Sequence, residues 1–119
     1  MMQDFRRSRR RKAHHPIPVS DAMTGQVVGN IGNLSESGML LMASVPLVND
    51  ALYQLCFSLP GKDGQDGQAT ALELGAHLLW SDQASAPDQH WIGFRFIGLG
   101  EKQLARLRSW VNTPGSQYA

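Results

Sequence analysis

The feature that most constrains the fold is a two-residue recurrence of apolar side chains in residues 72–80. The apolar positions are Leu72, Leu74, Ala76, Leu78 and Trp80. Successive side chains of a β-strand point to opposite faces, so the pattern predicts a strand with one buried face. Trp80 shares the parity of Leu78, which is typical of a core residue.

Five further segments have strand character, and turn residues separate them. They are residues 16–19, 26–34, 39–43, 51–59 and 91–96. The glycines at positions 29 and 32 fall inside a predicted strand, where glycine usually marks a bend, a bulge or a close approach of backbones. Residues 61–67 are polar and rich in glycine, which is typical of a hairpin tip.

One segment near the C-terminus favours a helix. Residues 101–112 contain neither proline nor glycine, and Leu104, Leu107 and Val111 recur at spacings of three and four. A single sheet with one apolar face leaves its edges exposed, so closure into a small barrel capped by this helix is the economical architecture. At 119 residues the chain is expected to form one domain over residues 13–113, with an arm at 1–12 and a tail at 114–119.

Positive charge is concentrated in the arm. Residues 1–12 carry six basic side chains against Asp4, a charge of +5, whereas the whole chain has a net charge of +1. The arginines of the arm are Arg6, Arg7, Arg9, Arg10 and Arg11. Like charges repel one another and the segment has no apolar periodicity, so we expect a mobile arm that becomes ordered over an anionic ligand.

A polar turn that ends in glycine follows the second predicted strand. Residues 33–38 read Asn-Leu-Ser-Glu-Ser-Gly. Asn33 and Ser35 have short side chains that can hydrogen-bond a base edge or a phosphate, and Gly38 permits either a positive φ or a close approach of the backbone. Arginine adds a planar fork of donors and a flat stacking face, so arm and turn together suit an anionic ligand with planar groups.

These residues give the chain a family resemblance. It resembles the PilZ domain, a bacterial receptor for cyclic di-GMP, whose motifs are RxxxR and a downstream [D/N]xSxxG. Residues 33–38 fit the second motif at every defined position. The arginine run fits the first motif in two registers, Arg6 with Arg10 or Arg7 with Arg11. The second register is preferred because Arg6 then supplies the additional preceding arginine that is common in the family.

The resemblance covers nearly the whole chain and implies a six-stranded antiparallel Greek-key barrel with a C-terminal helix. It implies a single-domain cyclic di-GMP receptor or adaptor that signals to a downstream effector protein. The expected ligand-binding residues are Arg6, Arg7, Arg11, Asn33, Ser35 and Gly38, with Arg10 and Trp80 as secondary candidates. Arg7 and Arg11 are assigned to guanine edges and phosphate, and Trp80 to stacking on guanine.

Two other functions stay open: nonspecific binding of single-stranded nucleic acid, and a PilZ-like adaptor that binds protein without a ligand. The acidic body and the lack of a basic, aromatic-rich strand face argue against the first. The abundance of arginines argues against the second. The sequence has no catalytic triad order, carboxylate pair, phosphate loop or metal cluster, so neither an enzyme nor a cofactor is expected. The single cysteine and the lack of a long apolar run predict a cytoplasmic protein that does not insert into membranes.

Overall fold

The computed structural model describes residues 8–61 and 69–119. Arg6, Arg7 and most of the predicted hairpin tip therefore lie outside the described residues. The strands within the described part are β1 (Arg11–Lys12), β2 (Pro18–Asp21), β3 (Val27–Leu34), β4 (Gly38–Ala43), β5 (Leu52–Leu59), β6 (Thr70–Gln83) and β7 (His90–Ile97). The helix α1 spans Glu101–Val111.

Strands β2 to β7 form a closed antiparallel barrel. The hydrogen-bonded order is β3-β2-β5-β6-β7-β4, and β4 pairs back with β3, so the ring of strands is complete. Strand β1 is an addition to this ring, in which Arg11 pairs with Leu34 and Lys12 with Asn33. The predicted six-stranded antiparallel barrel with a C-terminal helix is confirmed.

The core follows the two-residue alternation of the strands. Leu72, Leu74, Ala76 and Leu78 of β6 are all buried. Helix α1 adds three buried side chains to the same cluster, Leu107, Trp110 and Val111. The helix begins after Gly100, whose N–H donates to the side-chain oxygen of Gln103 at 2.9 Å. Among the described residues, no helix has the length and apolar character needed to cross a membrane.

Two β-bulges change which side chains face the core. The pairing of β3 with β4 shifts between Ile31 and Asn33, and Ile31 and Leu34 are both buried although they are three residues apart. The pairing of β6 with β7 shifts between Leu78 and Trp80. Leu78 is fully buried, whereas Trp80 is 48% exposed. The prediction that Trp80 shares the core face of Leu78 is therefore wrong, because the extra residue of a bulge reverses the alternation.

The glycines of β3 have the roles that glycines inside a strand commonly have. A Cβ at Gly29 would collide with the carbonyl oxygen of Met42 on β4, so glycine allows the two backbones to approach. Gly32 lies at the β3 bulge. The expectation of a bulge or a close approach at these two positions is confirmed.

Candidate functional site

The end of the arginine arm lies against the barrel as strand β1, between β3 and the tail. The Lys12 N–H donates to the Gln117 carbonyl oxygen at 2.8 Å, and the Ala119 N–H donates to the Arg10 carbonyl oxygen at 2.9 Å. Arg11 and Tyr118 form a β-bridge between these two hydrogen bonds. The backbone of this part of the arm is therefore held along both of its edges.

The side chains of Arg9 and Arg11 turn toward the end of α1 and the tail. Arg11 Nη1 donates to the Trp110 carbonyl oxygen at 2.6 Å, and the Arg11 guanidinium carbon lies 4.0 Å from the centroid of the Trp110 ring system. Arg9 Nη2 donates to the side-chain oxygen of Asn112 at 2.7 Å. Both arginines are thus engaged by residues of α1 or its C-terminal cap.

Arg10 points to the other side of the arm, because successive side chains of an extended backbone point to opposite faces. Its Nη1 donates to Asn33 Oδ1 at 3.2 Å. Asn33 is only 9% exposed, so its carboxamide is largely buried. This contact joins an arginine of the first motif to the first residue of the second motif.

A groove with a volume of about 270 Å³ lies beside the contact between Arg10 and Asn33. Trp80 lines the same groove together with apolar side chains that include Leu40 and Leu79. A Cβ at Gly93 of β7 would collide with the indole of Trp80, so glycine there lets the ring lie directly against the β7 backbone. The groove therefore combines a cation, a carboxamide and an aromatic face.

No carboxylate in the described part of the chain forms an ion pair with Arg10; the arginine there that pairs with a carboxylate is Arg108, with Glu36. Burial lowers the pKa of Arg10, because desolvation penalises its charged form. Arginine nevertheless remains protonated at neutral pH. A partly buried cation of this kind attracts an anionic ligand.

Ser35 is engaged inside its own turn. Its side chain is fully buried, and its Oγ accepts hydrogen bonds from the N–H groups of Ser37 and Gly38, each at 3.1 Å. The same hydroxyl lies 3.3 Å from the Gly38 carbonyl oxygen, to which it can donate. These contacts fix the turn between β3 and β4.

Gly38 has the second of the two roles that the sequence left open. It is not among the described glycines with positive φ. A Cβ on Gly38 would collide with the carbonyl oxygen of Phe94, and Gly38 pairs with Arg95 across the β4–β7 ladder. Glycine is therefore needed for the close approach of β7.

The structure thus brings three of the expected site residues together around one groove: Arg10, Asn33 and Trp80. Ser35 and Gly38 lie in the adjoining turn, and Arg11 lies on the opposite side of the arm. Two structural contributors were missed by sequence reasoning. Gly93 carried a usable signal, a glycine within a predicted strand; Tyr118, in the predicted tail, carried none.

Comparisons with known proteins agree with this architecture. The family model described as the PilZ domain matches residues 4–113. None of the curated proteins matches the chain. Among solved structures, the inhibitor of motility MotI/DgrA from Bacillus subtilis aligns with a TM-score of 0.70 and 10% identity, over 87% of this chain and 48% of that one. The chain thus spans about half the length of the Bacillus protein.

Two PilZ domain structures are similar over most of both chains. The PilZ domain of YcgR from Escherichia coli, in a structure with c-di-GMP, has a TM-score of 0.61 and 18% identity, over 86% of this chain and 85% of that one. The PilZ domain of CeSA from a cellulose-synthesising bacterium has a TM-score of 0.56 and 20% identity, over 86% and 93%. With the match of the family model over residues 4–113, the barrel and its helix show that this chain belongs to the PilZ domain family.

Proposed function

We propose that this protein is a cyclic di-GMP receptor that binds the dinucleotide in the groove between Arg10, Asn33 and Trp80. The observation that carries the proposal is the 3.2 Å contact between Arg10 Nη1 and Asn33 Oδ1, at the edge of a groove lined by an exposed indole. The YcgR structure, which is similar in fold, was determined with c-di-GMP. Binding would alter the surface that a downstream effector protein recognises.

The chemistry of the groove suits the two parts of the dinucleotide. A guanidinium can form paired hydrogen bonds with a phosphate or with the O6 and N7 atoms of guanine. The Asn33 carboxamide has a donor and an acceptor for a base edge. An indole face such as that of Trp80 can stack on a guanine, which typically contributes about 1–3 kcal/mol. The groove therefore offers partners of suitable chemistry for a phosphate and for a guanine.

The same geometry favours one register of the arginine motif. The Arg10 guanidinium faces the groove, whereas the Arg11 guanidinium contacts Trp110. We therefore propose that Arg6 and Arg10 form the RxxxR pair, in place of the Arg7 and Arg11 pair preferred from the sequence.

Serine and glycine of the second motif have an indirect role in this proposal. The Ser35 hydroxyl is hydrogen-bonded inside the turn, and Gly38 is packed against the Phe94 carbonyl. We propose that both residues hold the turn so that Asn33 is presented to the ligand, while Asn33 makes the direct contact.

Isothermal titration calorimetry with cyclic di-GMP tests the proposal, with GMP and cyclic di-AMP as control ligands. The wild-type protein should bind cyclic di-GMP preferentially, and Arg10→Ala should weaken that binding at least tenfold. Lys102→Ala is the matched control, because it removes one positive charge from an exposed position at the start of α1. No binding by the wild-type protein, or equal affinity in Arg10→Ala and Lys102→Ala, would contradict the proposal.

A further inference from the structure

The tail is joined to the arginine arm by main-chain and side-chain contacts. Its main chain forms two hydrogen bonds with the arm, one from Lys12 N–H to Gln117 and one from Ala119 N–H to Arg10. The tail is itself anchored to the helix, because the Tyr118 hydroxyl donates to the Val111 carbonyl oxygen at 2.7 Å. The ring of Tyr118 is partly buried against the core cluster.

Side chains of the arm strengthen this attachment. The Arg9 guanidinium carbon lies 4.4 Å from the centroid of the Tyr118 ring, a cation–π contact. Arg11 stacks on Trp110 and donates to its carbonyl oxygen. The carbonyl groups at the C-terminal end of a helix carry partial negative charge, which favours arginines at this position.

The side chains of the arm specify its register against β3 only weakly. A slip of one residue in a strand moves every side chain to the opposite face. Residues 9–11 are three successive arginines, so a slip of one residue in either direction still presents an arginine to the groove, and the side chain at that position does not distinguish the registers. The pairing of β1 with β3 covers only Arg11 and Lys12, with one more hydrogen bond from Ala13 N–H to Gly32 at 3.0 Å.

We infer that residues 116–119 of the tail act as a register clamp, which fixes the arm so that Arg10, and not Arg9 or Arg11, faces the groove. Tyr118 is the central positioning residue of this clamp, since it contacts Arg9 through its ring and α1 through its hydroxyl. Tyr118 is not proposed to touch the ligand. The binding consequence rests on the proposed function, whereas the clamp itself is a property of the protein alone.

The clamp is tested first without ligand, by amide hydrogen exchange measured by NMR. The Lys12 N–H should be protected in the wild-type protein, because it donates to Gln117. Tyr118→Ala should reduce that protection at least tenfold and leave the amide of Leu74 in the core unchanged. Tyr118→Phe, which keeps the ring that faces Arg9, should retain most of the protection. Tyr53→Phe is the matched control: it also removes one tyrosine hydroxyl, here one that accepts from Val48 N–H.

The second measurement is the affinity for cyclic di-GMP of arginine variants with and without the tail. With the tail, Arg10→Ala should bind at least tenfold more weakly than Arg11→Ala. After deletion of residues 117–119, the affinities of the two variants should differ by less than about threefold. The arm then also samples registers in which a neighbouring arginine faces the groove. A loss of overall stability alone would not make the two arginines equivalent.

The outcomes separate the two proposals. Lys12 protection that depends on Tyr118, in a protein that does not bind cyclic di-GMP, would overturn the proposed function and support the clamp. Normal binding together with an unchanged difference between Arg10→Ala and Arg11→Ala in the deletion protein would overturn the clamp and support the function. The deletion leaves residues 101–111 of α1 intact, so the deletion protein can replace Tyr118→Ala in the exchange measurement if that variant does not fold.

Discussion

At the scale of single residues, Arg10 and Arg11 show how neighbours of identical chemistry acquire different roles. Arg11 packs on Trp110 and donates a hydrogen bond to its carbonyl oxygen, while Arg10 contacts Asn33 at the groove. A cation–π contact contributes about 0.5–2 kcal/mol, and a hydrogen bond from a charged group contributes about 1.5–3 kcal/mol. Arg11 therefore has more stabilising contacts than Arg10, whose side chain faces the groove.

This difference predicts that substitutions of Arg11 and Arg10 lower the free energy of unfolding by different amounts. Arg11→Ala should lower the free energy of unfolding by about 1–3 kcal/mol, since it removes the stacking and the hydrogen bond to Trp110. Arg10→Ala should change it by less than Arg11→Ala does, because it removes one hydrogen bond of 3.2 Å to Asn33 and no stacking contact. Urea unfolding followed by circular dichroism measures both. A larger loss of stability in Arg10→Ala than in Arg11→Ala would contradict the assignment.

Trp80 supplies a second prediction at the residue scale. Its indole is 48% exposed and lines the groove, so Trp80→Ala should weaken cyclic di-GMP binding by about 1–3 kcal/mol through the loss of stacking. Trp80→Phe keeps a smaller aromatic face, so its affinity for cyclic di-GMP should lie between those of the wild-type protein and Trp80→Ala. Calorimetric titration of the three proteins provides the check. Wild-type affinity in Trp80→Ala would exclude this ring from the site.

At the scale of structural elements, the turn between β3 and β4 connects the second motif to the barrel. Its chain is closed by the Ser35 N–H, which donates to the Gly38 carbonyl oxygen at 2.9 Å, and by the two hydrogen bonds that the Ser35 hydroxyl accepts. Gly38 then allows β7 to pack directly against β4. Residues of the second motif, which the sequence suggested as ligand contacts, therefore also stabilise the turn and the packing of β7 against β4.

Ser35→Ala tests that division of roles. The substitution leaves the N–H groups of Ser37 and Gly38 without their acceptor, which should cost about 1–3 kcal/mol of stability. Ser58→Ala is a suitable control, because Ser58 is exposed on β5. Thermal unfolding of the two variants measures the effect. Unchanged stability in Ser35→Ala, combined with a large loss of ligand affinity, would instead indicate a direct contact with the ligand.

Gly93 provides a matched test on β7. A Cβ there would collide with the indole of Trp80 and not with a strand backbone, as it would at Gly38. Gly93→Ala should therefore displace Trp80 and weaken cyclic di-GMP binding, with a smaller loss of stability than Gly38→Ala. Paired calorimetry and urea unfolding compare the two variants. A loss of stability at Gly93 equal to that at Gly38 would show that the Trp80 ring cannot move aside.

At the scale of the whole molecule, a closed barrel carries a basic arm whose described end, residues 8–12, is hydrogen-bonded to residues 117–119. The arm has a charge of +5 and the remaining residues have a charge of −4. Such an asymmetric molecule can attract a small anion to one place while repelling long polyanions elsewhere. The position of the arm between β3 and the tail determines where that attraction acts.

The charge distribution predicts a gentle dependence of ligand binding on salt. Cyclic di-GMP has two phosphates, so a log–log plot of affinity against salt concentration should have a slope no steeper than about −2. A single-stranded oligonucleotide that engaged the whole arm would release more counterions and give a steeper slope. Fluorescence anisotropy with both labelled ligands makes the comparison. Tighter binding of the oligonucleotide at physiological salt would favour nucleic-acid binding over the proposed function.

The six strands of the barrel, the helix and the closure of the sheet were predictable from the sequence, because each depends on a local pattern of apolar residues or on the need to pair exposed edges. The two motifs that carry the family resemblance are also visible there, whereas strand β1 was not predicted. The exposure of Trp80 was not predictable from alternation, since it depends on a bulge opposite β7. The indirect role of Ser35 required the positions of two backbone N–H groups.

Which of the successive arginines faces the groove is visible only in the folded protein. Arg9, Arg10 and Arg11 are equivalent in sequence, and they lie beside residues more than 100 positions away: the Lys12 N–H donates to the Gln117 carbonyl oxygen, and the Arg10 carbonyl oxygen accepts from the Ala119 N–H. Side-chain patterns encode which face of an element is buried, but the register of a short strand is set by the partners on its two edges. Those partners meet only when the barrel, the helix and the tail have come together.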